Sequence, residues 1–289
     1  MKSFLFIIDL GDTMETIAIT GSTGGLGNEA VKKLVNNYNL ILVNRSLEKS
    51  NIQKQELLKI NPNAKIDILL CDMEDINSVK DVTNKLIELE IDYFIVNAGI
   101  LTGKKSITSF NYDNVFTTNF LAPYYIINRL KENNLPKVKV IAMGSVAHRW
   151  GKFDLNDIDH RNYKSKNKRY GNSKRFLMAS LMKLYKDEPE KLVIAHPGIS
   201  LTNMTKNYNR VIKFFTIIFL TIFFQGKKKA SRCIVKAISS NTKYLEWVGP
   251  HIFGIYGKPK VCKIKHLKEQ EIKDIFDTSI KLYNEIKAL

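Results

Sequence analysis

Six short apolar runs constrain this chain more than any other feature: Ile17 to Thr20, Leu40 to Val43, Ile66 to Leu70, Tyr93 to Val96, Val138 to Met143 and Leu192 to Ala195. Each is strand-sized, and a helix-length segment separates it from the next. In the first such segment Ala30, Val31, Leu34 and Val35 recur at helical spacing. A strand that is apolar on both sides must be covered on both faces, which requires a parallel sheet with helices above and below. A further strand is expected near Tyr244 to Val248. Beyond it Ile272, Phe276, Ile280, Tyr283 and Ile286 form the apolar stripe of a last helix. The expectation is an α/β chain with a doubly wound, mainly parallel, seven-stranded sheet. Neither linker nor repeat interrupts it, so residues 14–289 read as one domain. Phe4 to Ile8 is shorter than a signal-peptide core and is followed by Asp9, Gly11 and Asp12, so residues 1–13 read as an extension, with Met14 as an alternative start.

With 44% hydrophobic and 25% charged residues in 289, the chain has the composition of a globular protein with a sizeable core. Cys71, Cys233 and Cys262 are far apart, which suggests neither a disulfide framework nor a zinc site and fits a reducing, cytoplasmic setting. A formal charge of +17 raises nucleic acid, anionic membrane and anionic cofactor as partners. The lysines are scattered, and no helix interleaves a basic stripe with aromatics, which argues against nucleic acid.

The first strand runs into Thr20, Gly21, Ser22, Thr23, Gly24, Gly25, Leu26 and Gly27, and a helix begins directly after. Glycines let backbone approach a pyrophosphate, and a helix N-terminus favours its charge. Gly-rich turns also serve purely steric ends, but this one follows the first strand of a βαβ series, where a Rossmann-type fold binds dinucleotides. The residue that reads the ribose is then expected at the end of the second strand. Asn44, Arg45 and Ser46 stand there, with a guanidinium where a carboxylate would select NAD(H). A 2′-phosphate suits that charge, so NADP(H) is the predicted cofactor.

Three Tyr-x-x-x-Lys pairs occur. Tyr256 and Lys260 flank Gly257 and Pro259 and do not fit a helix, and Tyr283 with Lys287 lies at the C-terminus, far from the strand ends. Tyr170 and Lys174 open a helix whose apolar side continues through Leu177, Met178, Leu181 and Leu184, which puts the lysine on a buried face. A buried ammonium is costly without a role, and beside Tyr170 it would lower the phenol pKa toward working pH. Asn119 is the polar member of the stripe Tyr112, Val115, Phe116, Asn119 and Phe120, so it either satisfies nearby backbone or serves the site. Ser145, after the fifth strand, stands at a ligand-binding edge, where it is either a helix cap or a substrate contact.

Taken in order, these residues resemble the short-chain dehydrogenase/reductase family over residues 16 to about 205. The glycine turn, Asp72 after strand three, Asn97, Ala98 and Gly99 after strand four, and Pro197 and Gly198 after strand six all match its motifs. The resemblance implies a catalytic tetrad of Asn119, Ser145, Tyr170 and Lys174. Tyr170 would be the general acid, Lys174 would hold the nicotinamide ribose, Ser145 would bind the substrate oxygen and Asn119 would support a water-linked proton path. It also implies cofactor contacts at Thr20 to Thr23, Gly25 to Gly27, Asn44, Arg45, Asp72, Met73, Asn97 to Gly99, Pro197, Gly198 and Thr202, and no metal. Val96 departs from the pattern, which commonly has a second asparagine there. The 25-residue gap from Ser145 to Tyr170, with Ser145, Val146, Ala147 and His148, is similar to the retinol-dehydrogenase and protochlorophyllide-reductase branches. His148 itself reads as structural.

After the Pro-Gly step, Phe214 to Gly226 is an uncharged run, about 20 Å long as a helix and short of a roughly 30 Å membrane core. Residues 199–229 would form the family's substrate lid. The apolar stretch within 211–229 reads as a lid over a lipophilic substrate, as an interfacial anchor steered by Lys227 to Lys229, or as an oligomer or core helix. The expected function is NADP(H)-dependent hydride transfer between nicotinamide and a carbonyl or alcohol. A family epimerase or dehydratase, and a non-catalytic NADP(H) sensor or scaffold, are the alternatives. A homo-oligomer would follow family habit.

Overall fold

The computed structural model describes residues 14–133, 137–198, 226–252, 254 and 256–289. The expected alternation is present: β1 (Thr16–Thr20), α1 (Gly25–Leu34), β2 (Asn39–Asn44), α2 (Leu47–Ile60), β3 (Ile66–Leu70), α3 (Ile76–Glu88) and β4 (Tyr93–Val96). Next comes α4, which runs without a break through Asn114–Phe116, a π-helical turn at Thr117–Leu121 and Ala122–Glu132. β5 (Lys139–Met143), a 3₁₀ turn (Val146–Trp150), α5 (Lys166–Leu184) and β6 (Leu192–Ala195) follow. The chain then continues with α6 (Lys227–Ala230), α7 (Arg232–Ile238), β7 (Glu246–Ile252), β8 (Tyr256–Lys263) and α8 (Glu269–Ala288). Short polar residues open the helices. Ser46, Asp75, Asp113 and Ser165 each accept a backbone N–H in the first turn of α2, α3, α4 and α5.

One sheet orders the strands 3-2-1-4-5-6-7-8. The order reverses between β1 and β4, which opens the crevice where such sheets bind ligands. Alternate strand residues face opposite layers. Ala18, Val43, Phe94, Val140 and Ala142 join α3, α4, α5 and α8 on one side. Ile17, Ile19, Leu42, Ile95 and Ile141 meet α1, α2 and α7 on the other. The C-terminal stripe is shifted slightly, with Ile275 and Leu282 buried where Phe276 and Ile280 are half-buried.

The expected seven strands are eight among the described residues, and the last runs antiparallel to β7. Its sequence, Tyr256 to Lys263, hides the strand because Lys258, Lys260 and Lys263 break the apolar signal and Pro259 removes a donor. Those residues suit an edge strand, where lysine and proline discourage pairing with another chain. β7 also starts two residues later than expected and extends further, to Ile252. Among the described residues no helix is long and apolar enough to cross a membrane. The extension 1–13, Thr202 and most of the expected lid lie outside the described residues.

Candidate active site

The glycine turn is built by close approach. Gly21 adopts φ 64°, and a Cβ there would lie 2.9 Å from Ala98 Cα. A Cβ on Gly27 would meet Asn97 Nδ2 and Gly21 O, each at 2.7 Å. The turn is clamped to β4 from both sides. Thr20 Oγ1 accepts the amides of Asn97 and Ala98 at 3.0 Å, and Asn97 Nδ2 donates to the carbonyls of Thr20 and Gly21 at 3.0 and 2.9 Å.

A second network ties the turn to β2 and α2. Buried Ser22 donates to Gln53 Oε1 at 2.7 Å, and Asn44 Nδ2 donates to Ser22 Oγ at 2.8 Å and Ser50 Oγ at 3.1 Å. Gln53 returns bonds to the Ser22 carbonyl and to Asn28, at 2.8 and 2.7 Å. Ser22 and Asn44, expected as cofactor contacts, thus turn their side chains inward and leave only backbone to offer. Gln53 and Asn28 carried no motif and escaped notice in the sequence.

What the turn presents is amides. Gly24 precedes α1 and has no side chain to cap it, and no acid stands in the first turn. The first N–H groups of α1 therefore face outward for an anion, as a pyrophosphate requires. The donors and the glycine cradle fit a dinucleotide. Arg45 stands just beyond β2, 73% exposed, with Nη1 3.9 Å from Asp72 Oδ2. Met73 is buried, Gly99 is exposed, and Pro197 and Gly198 follow β6.

At the neighbouring strand ends the four expected reaction residues converge. Lys174 is 3% exposed and its Nζ donates to the Met143 carbonyl at 2.9 Å. Burial holds this ammonium down to a pKa of about 8. Asn119 is fully buried in the π-helical turn. Its Oδ1 accepts the Ile100 amide at 2.7 Å, while Nδ2 donates to the Ile100 carbonyl and to Ser173 Oγ, both at 3.0 Å. A Cβ on Gly99 would lie 3.2 Å from Asn119 Oδ1 and 3.7 Å from Lys174 Nζ, which puts both groups at one corner. Ser173, another residue the sequence did not flag, donates to the Tyr170 carbonyl at 2.8 Å and so links Asn119 to the tyrosine's backbone. Ser145 caps the 3₁₀ turn through the Ala147 amide at 3.2 Å. Its hydroxyl also acts on the Tyr170 phenol, favouring the phenolate.

One expectation is corrected. Lys174 does not pull the Tyr170 pKa down. Burial pushes the phenol up, and Ser145 opposes this only in part. The cause is geometric: Lys174 Nζ is directed to Met143 and lies 5.9 Å from the tyrosine ring centroid. The other two Tyr-x-x-x-Lys pairs fall away from the site, on β8 and on α8, where Lys287 pairs with Glu132 at 2.8 Å. His148 is structural, bridging the carbonyls of Ser145 and Lys265 at 2.7 and 2.9 Å.

A buried ion pair fixes α5 from the other side. Arg169, fully buried beside Tyr170, lies 3.2 Å from Asp113, and Asp113 is also the N-cap of the helix that carries Asn119. The two helices bearing reaction residues are thus joined at their starts.

A family model described as short chain dehydrogenase matches residues 15–212, which span the glycine turn, the strand-end residues and the Tyr170 to Lys174 helix. The chain belongs to the short-chain dehydrogenase family. It is 27% identical over 213 residues to short-chain dehydrogenase TIC 32 A, chloroplastic, of Brassica napus, covering 66% of each chain. With mouse retinol dehydrogenase 13 it shares 23% over 151 residues, covering 50% of this chain and 45% of that one. The match thus spans 66% or less of these relatives' length. Among solved structures, a Mycobacterium paratuberculosis protein of uncharacterised function superposes with a TM-score of 0.69 at 21% identity, covering 95% of this chain and 93% of that one. The NADPH-dependent 3-quinuclidinone reductase of Rhodotorula rubra does so at 0.60 and 18%, covering 79% and 87%. At these identities the superpositions speak for the fold. Short-chain dehydrogenases are oxidoreductases whose fold carries a nicotinamide cofactor.

Proposed function

We propose that the chain is an NADP(H)-dependent oxidoreductase that interconverts a carbonyl and an alcohol on an apolar small molecule. The observation that carries this reading is the Tyr170 phenol, influenced by Ser145 and one helical turn from the buried Lys174 ammonium, beside a glycine cradle suited to an anion. A bound nicotinamide supplies or accepts the hydride. The chain's own residues handle the oxygen. A phenol held above its usual pKa is protonated at neutral pH and donates to the substrate oxygen as that oxygen gains charge. Lys174 would hold the nicotinamide ribose, and Ser145 orients the oxygen and favours the phenolate left behind. In the oxidative direction Tyr170 must first lose its proton, so that direction gains from rising pH.

Arg45 supports the choice of NADP(H). Its guanidinium is exposed and only loosely paired, which leaves it available to a 2′-phosphate. Apolar side chains flank the reaction residues: Leu101 is 40% and Trp150 50% exposed, and a Cβ on Gly171, next to Tyr170, would lie 2.9 Å from Trp150 Cβ. An apolar substrate suits such walls.

The test follows NADPH absorbance against ketones, aldehydes and quinones for wild type and Tyr170→Phe. Turnover that disappears in the variant while NADPH still binds supports the proposal; binding with no turnover on any substrate would sink it in favour of a sensor. In parallel, Arg45→Ala should weaken NADPH by about tenfold or more and leave NADH little changed, since a charge-assisted contact is lost. A wild-type preference for NADH defeats the cofactor choice.

A further inference from the structure

Lys227 to Lys229 follow the uncharged run and suggest, in sequence, a membrane-facing cluster. The structure places the first of them elsewhere. A Cβ on Gly25 would lie 2.8 Å from Lys227 Cδ and Cε and 2.9 Å from Nζ, so this side chain lies directly over the glycine cradle, at the first residue of α1. Its position is held by a dock. Ala230 and Ser231 are buried, α6 packs along α1, and Lys33 of α1 donates to the Lys228 carbonyl at 2.6 Å and to Ser231 Oγ.

Among the described residues no carboxylate or carbonyl accepts from the Lys227 ammonium, although the side chain is exposed and lies against Gly25, in the uncapped first turn of α1. Donor facing donor is unfavourable unless an anion comes between them. The surroundings favour one. Lys33, Lys228 and Arg232 stand together along this side of α1, and Lys33 is held below the usual lysine pKa by burial first and then by Arg232, with Glu29 opposing.

We propose that Lys227 is a ligand of the cofactor's pyrophosphate, closing from outside the anion site that the glycine turn opens from within. The assignment rests on the reading of the chain as a dinucleotide-binding oxidoreductase, and it adds a side-chain charge to a site otherwise made of backbone. It holds for NADP(H) and NAD(H) alike, because the pyrophosphate is common to both. It also separates two recognition tasks: Arg45 reads the 2′-phosphate at one end of the ligand and Lys227 holds the bridge in the middle.

The experiment measures dissociation constants of NADPH, ADP-ribose and 2′-AMP by fluorescence or calorimetric titration for wild type, Lys227→Ala, Lys227→Arg and Lys229→Ala. Melting curves serve as a check on folding, which an exposed lysine should not disturb. Loss of one charge-assisted contact predicts binding of NADPH and ADP-ribose weakened about tenfold in Lys227→Ala, with 2′-AMP unchanged because it lacks the pyrophosphate. The arginine variant should retain most of the affinity, and Lys229→Ala should shift it less than about threefold. Unchanged affinity in Lys227→Ala overturns the assignment. So does tighter binding, which would make Lys227 a plug, and so does equal weakening of all three ligands, which would make it part of a general field. A wild-type protein that binds no dinucleotide overturns this inference together with the reading beneath it; one that binds but is indifferent to Lys227 overturns this inference alone.

Discussion

The two halves of the site are built on opposite plans. At the glycine turn the polar side chains satisfy one another. Thr20 with Asn97, and Ser22 with Asn44 and Gln53, form closed networks, so these side chains are spent on one another and the turn offers chiefly backbone N–H groups to a ligand. Around Tyr170 the functional groups are side chains held in unfavourable surroundings: an ammonium with one carbonyl partner and a phenol raised by burial. Backbone amides recognise any diphosphate and need only rigidity. Proton transfer needs groups whose protonation state is finely balanced, and such groups cost stability.

That contrast predicts different responses to mutation. The largest effect is expected at Tyr170: changing it to Phe should lower turnover about 10³-fold while NADPH binding stays within about twofold, as a titration beside steady-state kinetics would show. Loss of binding along with turnover would break the division between the halves. Gly27→Ala should do the reverse damage, abolishing nucleotide binding and lowering unfolding free energy by about 3 kcal/mol, because its Cβ meets the Gly21 carbonyl and Ser22 Cα, neither of which yields cheaply.

Acid should act through the reaction half. Behind it His196 is buried, stacked on Trp247 at 4.7 Å, and held down to a pKa of about 4. The unfolded chain takes up a proton near pH 6.5, whereas the folded one resists until about 4. Stability therefore falls across that window as pH drops, by up to about 3 kcal/mol. Denaturant titrations from pH 7 to 4, with His196→Phe as the flatter control, check this.

The smallest effect has the opposite sign. Lys174→Met should abolish turnover yet stabilise the protein at pH 7. A folded-state pKa of about 8 against 10.5 means that charging Lys174 opposes folding, in full below about pH 8 and vanishing above 10.5. Removing the charge gains about 3 kcal/mol and losing the Met143 bond costs about 1, so the expected net is about 2 kcal/mol. A lower melting temperature would show that Lys174 is structural rather than strained for function.

Much of this was legible in the chain because the signals were periodic or fixed in spacing. β1 to β6, the glycine turn and the Tyr170 to Lys174 helix follow from apolar runs and motif order. β8 escaped because an edge strand with lysines and a proline has no apolar period to read. Ser173, Gln53 and the Asp113 to Arg169 pair escaped because their partners are distant in sequence. The sign of the Tyr170 shift was unreadable for a similar reason: spacing puts Lys174 on the right face but does not say that its ammonium is directed to Met143.

The π-helical turn at Thr117–Leu121 has a consequence for how the chain tolerates change in length. It holds one residue more than an α-helix would use over the same rise, like an insertion absorbed without a loop. Deleting a single residue there would let ordinary i to i−4 bonding resume with both flanks left close to their present register, while the side chains of the turn itself are re-aimed. Asn119 would then swing off the Ile100 backbone it grips from both sides. Elsewhere on α4 a shortened helix would be a folding problem; at this turn it would yield a smoother helix and a dismantled corner.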